Sequence, residues 1–275
     1  MPELPEVETI KRYLNKHIKN KTINKISILY KKIVNGNLTD FKKKLTNKKI
    51  IKVKRYGKYL VFLLNGENVL ISHLRMEGKY ILGQNKKDKT KYARVIFYFN
   101  DGTILNYDDS RTFGRMNILN KKKYLNEPPI SKLGPEITSK KINLQKIFNI
   151  FKKSRRTIKE VLLNQKIISG LGNIYVDETL FESKISPLTK ANKLTKLDIL
   201  RILKNASKII KLAIKFKGSF IKTYHFAKDK IGSFQNFLKV YGKKGQKCVK
   251  CKKILVKTKI NKRGTTYCPN CQILK

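Results

Sequence analysis

Four cysteines fall within the last 28 residues of this 275-residue chain: Cys248, Cys251, Cys268 and Cys271. Their pattern, C-x2-C-x16-C-x2-C, is two knuckles separated by enough chain for a hairpin. Four thiolates at that spacing suit one tetrahedral Zn2+. The alternative is a pair of disulfides, which a cytosolic chain disfavours. Four sulfurs fill the coordination shell and leave no position for water, so the expected metal is structural. A hairpin this short buries too little surface to hold itself, and the metal must fix it. Between the knuckles, ILVKTKI at 254–260 alternates as a strand does, and Asn261-Lys262-Arg263-Gly264 reads as its turn. Such a turn either is merely solvated or lays Arg263 against a phosphate.

The charge balance points the same way. The chain carries 64 Lys and Arg against 18 Asp and Glu, a formal net charge of +46. A field of that sign and size attracts a polyanion, DNA or RNA. The chain is also rich in Asn and Ile, as an AT-rich genome imposes, so part of the lysine excess is compositional drift. Ten of the 64 are arginines, at 12, 55, 75, 94, 111, 115, 155, 156, 201 and 263. Where composition favours lysine this strongly, an arginine marks a place that needs the flat guanidinium fork. No apolar run approaches the ~18 residues of a membrane span. The first ten residues hold three glutamates and no apolar stretch of a secretory signal, so a cytoplasmic protein without a membrane partner is expected.

Several elements must position these groups. Residues 5–18 place Val7, Ile10, Leu14 and Ile18 on one helical face, with Pro5 suited to the first helical position. From about 20 to 125 short alternating runs dominate: TINKISIL, KIIKVKRYGKYLVFLL, NVLISHL, KYILG, ARVIFYF and TILNYDD. Turn signals such as Asn65-Gly66 and Asp101-Gly102 separate them, and the spacing predicts a sandwich or barrel. A helical region then runs from near Leu133 to about 216, interrupted at Ser169-Gly170-Leu171-Gly172-Asn173. That glycine-rich turn serves either plain packing or backbone N–H donation to a phosphate. Residues 217–240 read as a loop.

The ordered set of motifs resembles the bacterial formamidopyrimidine-DNA glycosylase family. It begins with Met1-Pro2-Glu3-Leu4-Pro5-Glu6-Val7-Glu8-Thr9 and continues through YGKYL at 56–60, HLRMEGKY at 73–80 and DSRTFGRM at 109–116. It resumes with LGPE at 133–136, GLGNIYVDETLF at 170–181, GSFQNFLKVYGKKG at 232–245 and the cysteine tail. The resemblance implies an α+β multidomain fold. Its parts are an N-terminal β-sandwich with an N-terminal helix (1–130), a helix–two-turn–helix domain (131–240) and a zinc β-hairpin finger (241–275). It also implies a monomer that acts on double-stranded DNA containing oxidised bases.

By that resemblance the chemistry is base excision followed by strand scission. Removal of Met1 leaves Pro2 as a free secondary amine, and an α-amino group titrates near ~8, so a nucleophilic fraction exists at neutral pH. Glu3 is the implied acid/base, Lys58 the phosphate contact that assists β-elimination, and Arg263 the finger arginine of the δ step. Met76, Arg111 and Phe113 match the trio that fills the space left by an everted base. His73, Asn173 and Tyr241, with Lys153, Arg155 and Arg156, are the implied phosphate contacts. Tyr92 stands where a DNA-contacting histidine is usual. The 217–233 segment matches the lesion-capping loop, but His225 and Phe226 depart from the family pattern. Two other readings stand beside this one: an oxidised-pyrimidine glycosylase of the same superfamily, and a catalytically silent binder of damaged DNA.

Overall fold

A computed structural model describes residues 2–219 and 232–275, and the expectation for the centre of the 217–233 loop lies outside them. The chain divides into two compact units: Met1–Lys132 with Lys217–Gly232, and Leu133–Phe216 with Ser233–Lys275.

The first unit opens with helix α1 (Leu4–His17). Its apolar stripe, Val7, Ile10 and Leu14, continues to Ile18 beyond the helix, and all four are fully buried. Strands follow as β1 (Ile23–Ile28), β2 (Ile50–Tyr56), β3 (Tyr59–Leu64), β4 (Asn68–His73), β5 (Lys79–Gly83), β6 (Ala93–Phe99), β7 (Ile104–Asp108) and β8 (Arg115–Asn120). They form two antiparallel four-stranded sheets, ordered β1-β6-β7-β5 and β2-β3-β4-β8. The choice between sandwich and barrel is thereby settled as a sandwich. Phe62 and Leu70 from one sheet join Val95, Phe97, Leu105 and Tyr107 from the other, and α1 adds its stripe to the same core. Each such side chain contributes roughly 1.5–3 kcal/mol when withdrawn from water.

Two elements escape the pattern reading. Helix α2 (Leu38–Leu45) interrupts the run of strands. Its signal is Asn37, whose side chain accepts from the N–H of Asp40, followed by Phe41 and Leu45 one turn apart on the buried face. Strand β8 begins in a stretch rich in turn-forming residues, and pairing with β4, His73 opposite Arg115, makes it a strand.

In the second unit, helices α3 (Leu144–Lys152), α4 (Ile158–Leu163), α5 (Asn173–Glu182) and α6 (Lys196–Lys215) carry the helical region. Capping boxes start α4 (Thr157 with Glu160) and α6 (Thr195 with Asp198). Every residue of α5 from Ile174 to Phe181 is buried, which makes it the central helix of this unit. The tail folds into the hairpin β9 (Val256–Ile260) and β10 (Arg263–Tyr267). Asn261 and Lys262, with φ of 44° and 62°, form the two-residue turn. Arg263 therefore does not sit in the turn, as the four-residue reading had it; it opens β10 opposite Ile260. Phe181, Val240, Leu255, Cys248 and Cys268 make a small shared core beneath the hairpin. Among the described residues, no helix is long and apolar enough to cross a membrane.

Candidate active site and zinc centre

In the first unit Pro2 and Glu3 are buried at the positive end of α1. Glu6, three residues on and 2 % exposed, accepts from the N–H of Glu3 at 2.9 Å through one oxygen. Its other oxygen accepts from the N–H of Ser219 at 2.8 Å. Gly218, with φ 82°, makes that approach possible: a Cβ there would lie 2.7 Å from Glu6 Oε1. One carboxylate thus ties the segment after Lys217 to the first turn of α1.

Lys58 occupies the hairpin between β2 and β3, whose closing pair is Tyr56 and Tyr59. Gly57 takes the first central position with φ 54°, the pattern of a II′ turn. Although it sits at a turn tip, Lys58 is only 6 % exposed, so it is no solvated lysine. Its ammonium acts on His73. Burial first, then the charges of Arg75 and Lys58, push the His73 imidazole down to about 3. His73 Nδ1 accepts from the N–H of Arg75 at 3.0 Å, and the ring stands edge-on to Tyr59 with centroids 4.5 Å apart. The neutral ring in this tautomer presents Nε2–H as a donor, as a contact to an anionic oxygen requires.

Met76 and Phe113 are 38 % and 46 % exposed, so neither belongs to the core. The Arg111 guanidinium lies over the Phe113 ring, 4.8 Å from its centroid. Arg75 and Thr112, each adjacent to one of these residues, hold left-handed φ of 54° and 58°. Such backbone costs energy and persists only where its surroundings enforce it. Asp109 is part of that enforcement. It is fully buried, and its two oxygens accept from Arg111 N at 3.1 Å and Gly114 N at 2.7 Å. The Ser110 hydroxyl donates to Glu77, joining this loop to the one that carries Met76. Tyr92, exposed beside Lys91, accepts through its carbonyl from Asp109 N at 3.1 Å. The first unit therefore brings Met76, Tyr92, Arg111 and Phe113 onto linked loops.

In the second unit Arg263 is exposed, but the strand behind it is clamped. Its neighbour Gly264 accepts through the carbonyl from Asn173 Nδ2 at 3.0 Å and Lys159 Nζ at 3.2 Å. Lys159 forms a solvent-free ion pair with Asp177 at 2.5 Å, and Asp177 also accepts from Thr266 N at 3.1 Å. Burial pushes the Asp177 carboxyl up to about 6 although Lys159 pulls it down. Asn173, expected as a phosphate contact, thus also holds the hairpin. Tyr241 is placed similarly: Glu178 accepts from the N–H groups of Lys239, Val240 and Tyr241 at 2.8–2.9 Å. Lys153, Arg155 and Arg156 are exposed between α3 and α4. Sequence reasoning missed Asp109, Lys159, Asp177 and Glu178. Only the acidic pair inside the otherwise apolar YVDETLF offered a signal.

The four cysteine sulfurs lie within 4.8 Å of one another. Cys248 and Cys271 are 3.9 Å apart, and Cys251 and Cys268 are 3.4 Å apart. A tetrahedron with Zn–S bonds of ~2.3 Å has edges of ~3.8 Å, so the set fits one zinc. Lys250 N and Cys271 N each point at a cysteine sulfur at 3.4 Å, which stabilises thiolate charge. All four thiols are free of disulfides.

The comparisons with known proteins cover almost the whole chain. Residues 1–116 match the formamidopyrimidine-DNA glycosylase N-terminal domain, 133–225 the H2TH domain of the same glycosylase, and 245–273 a zinc finger found in FPG and IleRS. The formamidopyrimidine-DNA glycosylase of Lactobacillus gasseri is 46 % identical over 274 residues, covering 100 % of this chain and 99 % of that one. Two solved structures are similar over 98 % of this chain and 99 % of theirs, each at 40 % identity and a TM-score of 0.93. One is a point mutant of the Lactococcus lactis FPG with Fapy-dG-containing DNA, the other the Lactococcus lactis Fpg with abasic-site DNA.

Three outcomes are expected. Lys159→Met leaves Asp177 as an unpaired buried acid and lowers stability by about 3–5 kcal/mol in urea unfolding, whereas Lys159→Met with Asp177→Leu recovers most of the loss. An equal loss in both would mean the pair does not act as a unit. Chelation releases one zinc per chain, measured with a colorimetric metal indicator, and abolishes duplex binding as the hairpin unfolds. His73 keeps a flat NMR shift from pH 8 to 5, because its folded pKa lies near 3 and its unfolded value near ~6.5. In that window falling pH favours the unfolded chain, which takes up the proton first. A titration midpoint near 6 would contradict this environment.

Proposed function

The chain belongs to the formamidopyrimidine-DNA glycosylase family, and from that premise we propose that it excises oxidised purines and cleaves the strand through Pro2. It is a DNA glycosylase acting on damaged bases, with one structural zinc. The reading assigns it 8-oxoguanine and formamidopyrimidines opposite cytosine, as a monomer working on the chromosome in the cytoplasm. The observation that carries it is the burial of Pro2 and Glu3 at the start of α1 in the unit that also buries Lys58.

The steps follow from what these groups can do. With Met1 removed, the Pro2 lone pair attacks C1′ of the damaged nucleotide and the bond to the base breaks. Glu3 carries protons to and from the sugar oxygen as the ring opens to an iminium. The positive iminium nitrogen acidifies the C2′ proton, and its loss expels the 3′ phosphate. Lys58 assists that β-elimination, and Arg263 assists the second, δ elimination. His73 supplies a neutral donor to a phosphate, and the exposed Met76, Arg111 and Phe113 fill the vacated stack. Asn173, Tyr241, Lys153 and Arg155 hold the backbone on the other unit, each as a phosphate contact. Extruding the base costs a few kcal/mol, and the apolar wedge offsets it.

Borohydride trapping on an 8-oxoguanine:cytosine duplex tests the reading, using protein whose Met1 is shown absent by mass spectrometry. A covalent adduct mapped to Pro2 is the expected result, and Pro2→Gly with Glu3→Gln lowers strand scission by at least ~10³-fold. Scission retained in that double variant would overturn the mechanism. An adduct only on a thymine-glycol duplex would move the substrate to oxidised pyrimidines. Lesion binding without any adduct would leave a silent binder.

A further inference from the structure

Arg55 takes no part in the steps above, yet it is one of the few arginines in a lysine-dominated chain and its side chain is only 9 % exposed. It stands next to last in β2, and its guanidinium reaches two different elements. Nε donates to Glu8 Oε2 at 3.0 Å, and Nη1 donates to the Gly57 carbonyl at 2.8 Å. Glu8 lies on α1, five residues after Glu3, and Gly57 immediately precedes Lys58. A single planar group therefore links the helix that follows Pro2 and Glu3 to the turn that carries Lys58.

The Gly57 carbonyl is the atom that decides the form of that turn. Gly57 has φ 54°, and Lys58 is not among the residues with positive φ, which is the II′ arrangement. Rotating the peptide plane between them converts II′ to I′, in which both central residues take positive φ. The hydrogen bond from Arg55 holds this plane, and with it the direction in which Lys58 leaves the backbone. Lysine cannot replace it, because an ammonium is a point donor without the fixed fork that spans two acceptors. Glu8 keeps its charge for the same purpose. Burial pushes its carboxyl up, but the hydrogen bonds from Lys11 and Arg55 outweigh that and hold it below its ordinary value.

We propose that Arg55, braced by Glu8, is a positioning residue for the elimination step: it locks the Gly57–Lys58 peptide so that Lys58 stands in register with the helix that follows Pro2 and Glu3. The inference rests on the reading of Lys58 as the residue that assists β-elimination. It predicts a defect in scission and not in capture of the sugar, because Pro2 and Glu3 do not depend on the Gly57 carbonyl. It also predicts that the loss disappears when Lys58 is absent. Glu8 keeps Lys11 and Arg12 as partners on Oε1, and urea unfolding of each variant checks that the fold is retained.

The test is single-turnover scission of an abasic-site duplex by Arg55→Lys, Arg55→Met, Glu8→Gln, Lys58→Met and the Arg55→Met/Lys58→Met pair. Borohydride-trapped adduct is measured in parallel. Both Arg55 variants are expected to slow β-elimination by ~10–100-fold, the penalty of a misplaced group, while the trapped adduct accumulates. Glu8→Gln falls between them and wild type. The double variant is expected to match Lys58→Met alone, a non-additivity that general destabilisation does not produce. Arg55 variants that cleave at the wild-type rate would overturn the inference and leave Lys58 in its role. Losses that multiply in the double variant would overturn it too. Wild-type scission by Lys58→Met would overturn the reading of Lys58 and, with it, this one.

Discussion

A carboxylate taken out of water must be given donors, and the candidate chemistry of this molecule hangs on four that have been. Glu6, Asp109, Asp177 and Glu178 are at most 3 % exposed. Each accepts from main-chain N–H groups, and in each case the main chain belongs to a segment that presents a candidate residue. Glu6 holds Glu3, Asp109 holds the Arg111–Gly114 loop, Asp177 holds β10 behind Arg263, and Glu178 holds Lys239 to Tyr241. Without those donors burial of each charge would cost several kcal/mol; with them the acid becomes a rigid bracket.

The choice of main chain as partner matters because the presented groups are long and flexible. Lysine, arginine and methionine lose much rotamer freedom when ordered, so their placement is only as good as the backbone beneath them. A bracket on the backbone fixes where the side chain starts and leaves its end free to meet a ligand. Left-handed φ at Arg75 and Thr112 accompanies the same arrangement, each residue standing directly before exposed Met76 or Phe113. The same logic explains why the zinc hairpin is attached so heavily. Beyond the metal it has Lys159, Asn173 and Asp177 under β10, and Gln272 bonded to the Ile185 carbonyl at 3.0 Å.

Much of this was readable in the chain. The cysteine spacing gave the zinc centre, the stripe Val7–Ile10–Leu14 gave α1, and alternating runs gave seven of the eight strands of the sandwich. What was not readable shares one cause: it depends on partners distant in sequence. Lys159 is one cation among 64 basic residues until Asp177, eighteen positions on, is folded against it. Asp109 looks like a turn residue, and only its full burial shows that it organises the turn. The resemblance alone singles out Met76 and Phe113, whose residue types carry no sign of exposure, and the fold leaves both exposed beside left-handed Arg75 and Thr112. The stretch Asn261-Lys262-Arg263-Gly264 reads as one turn, whereas the turn is made by Asn261 and Lys262 alone, in left-handed conformations that lysine rarely adopts.

Drawing acids inward has a consequence for the outside. With four of only 18 carboxylates buried as brackets, the surface is more uniformly cationic than the net charge of +46 conveys. Such a surface travels with a sheath of small anions, as a duplex travels with its cations, and contact with any nucleic acid releases both. The driving force is then ion mixing, which is blind to lesions and sensitive to salt. Any preference for a lesion must therefore be expressed above a background of affinity for undamaged duplex, and it comes from the groups the brackets present.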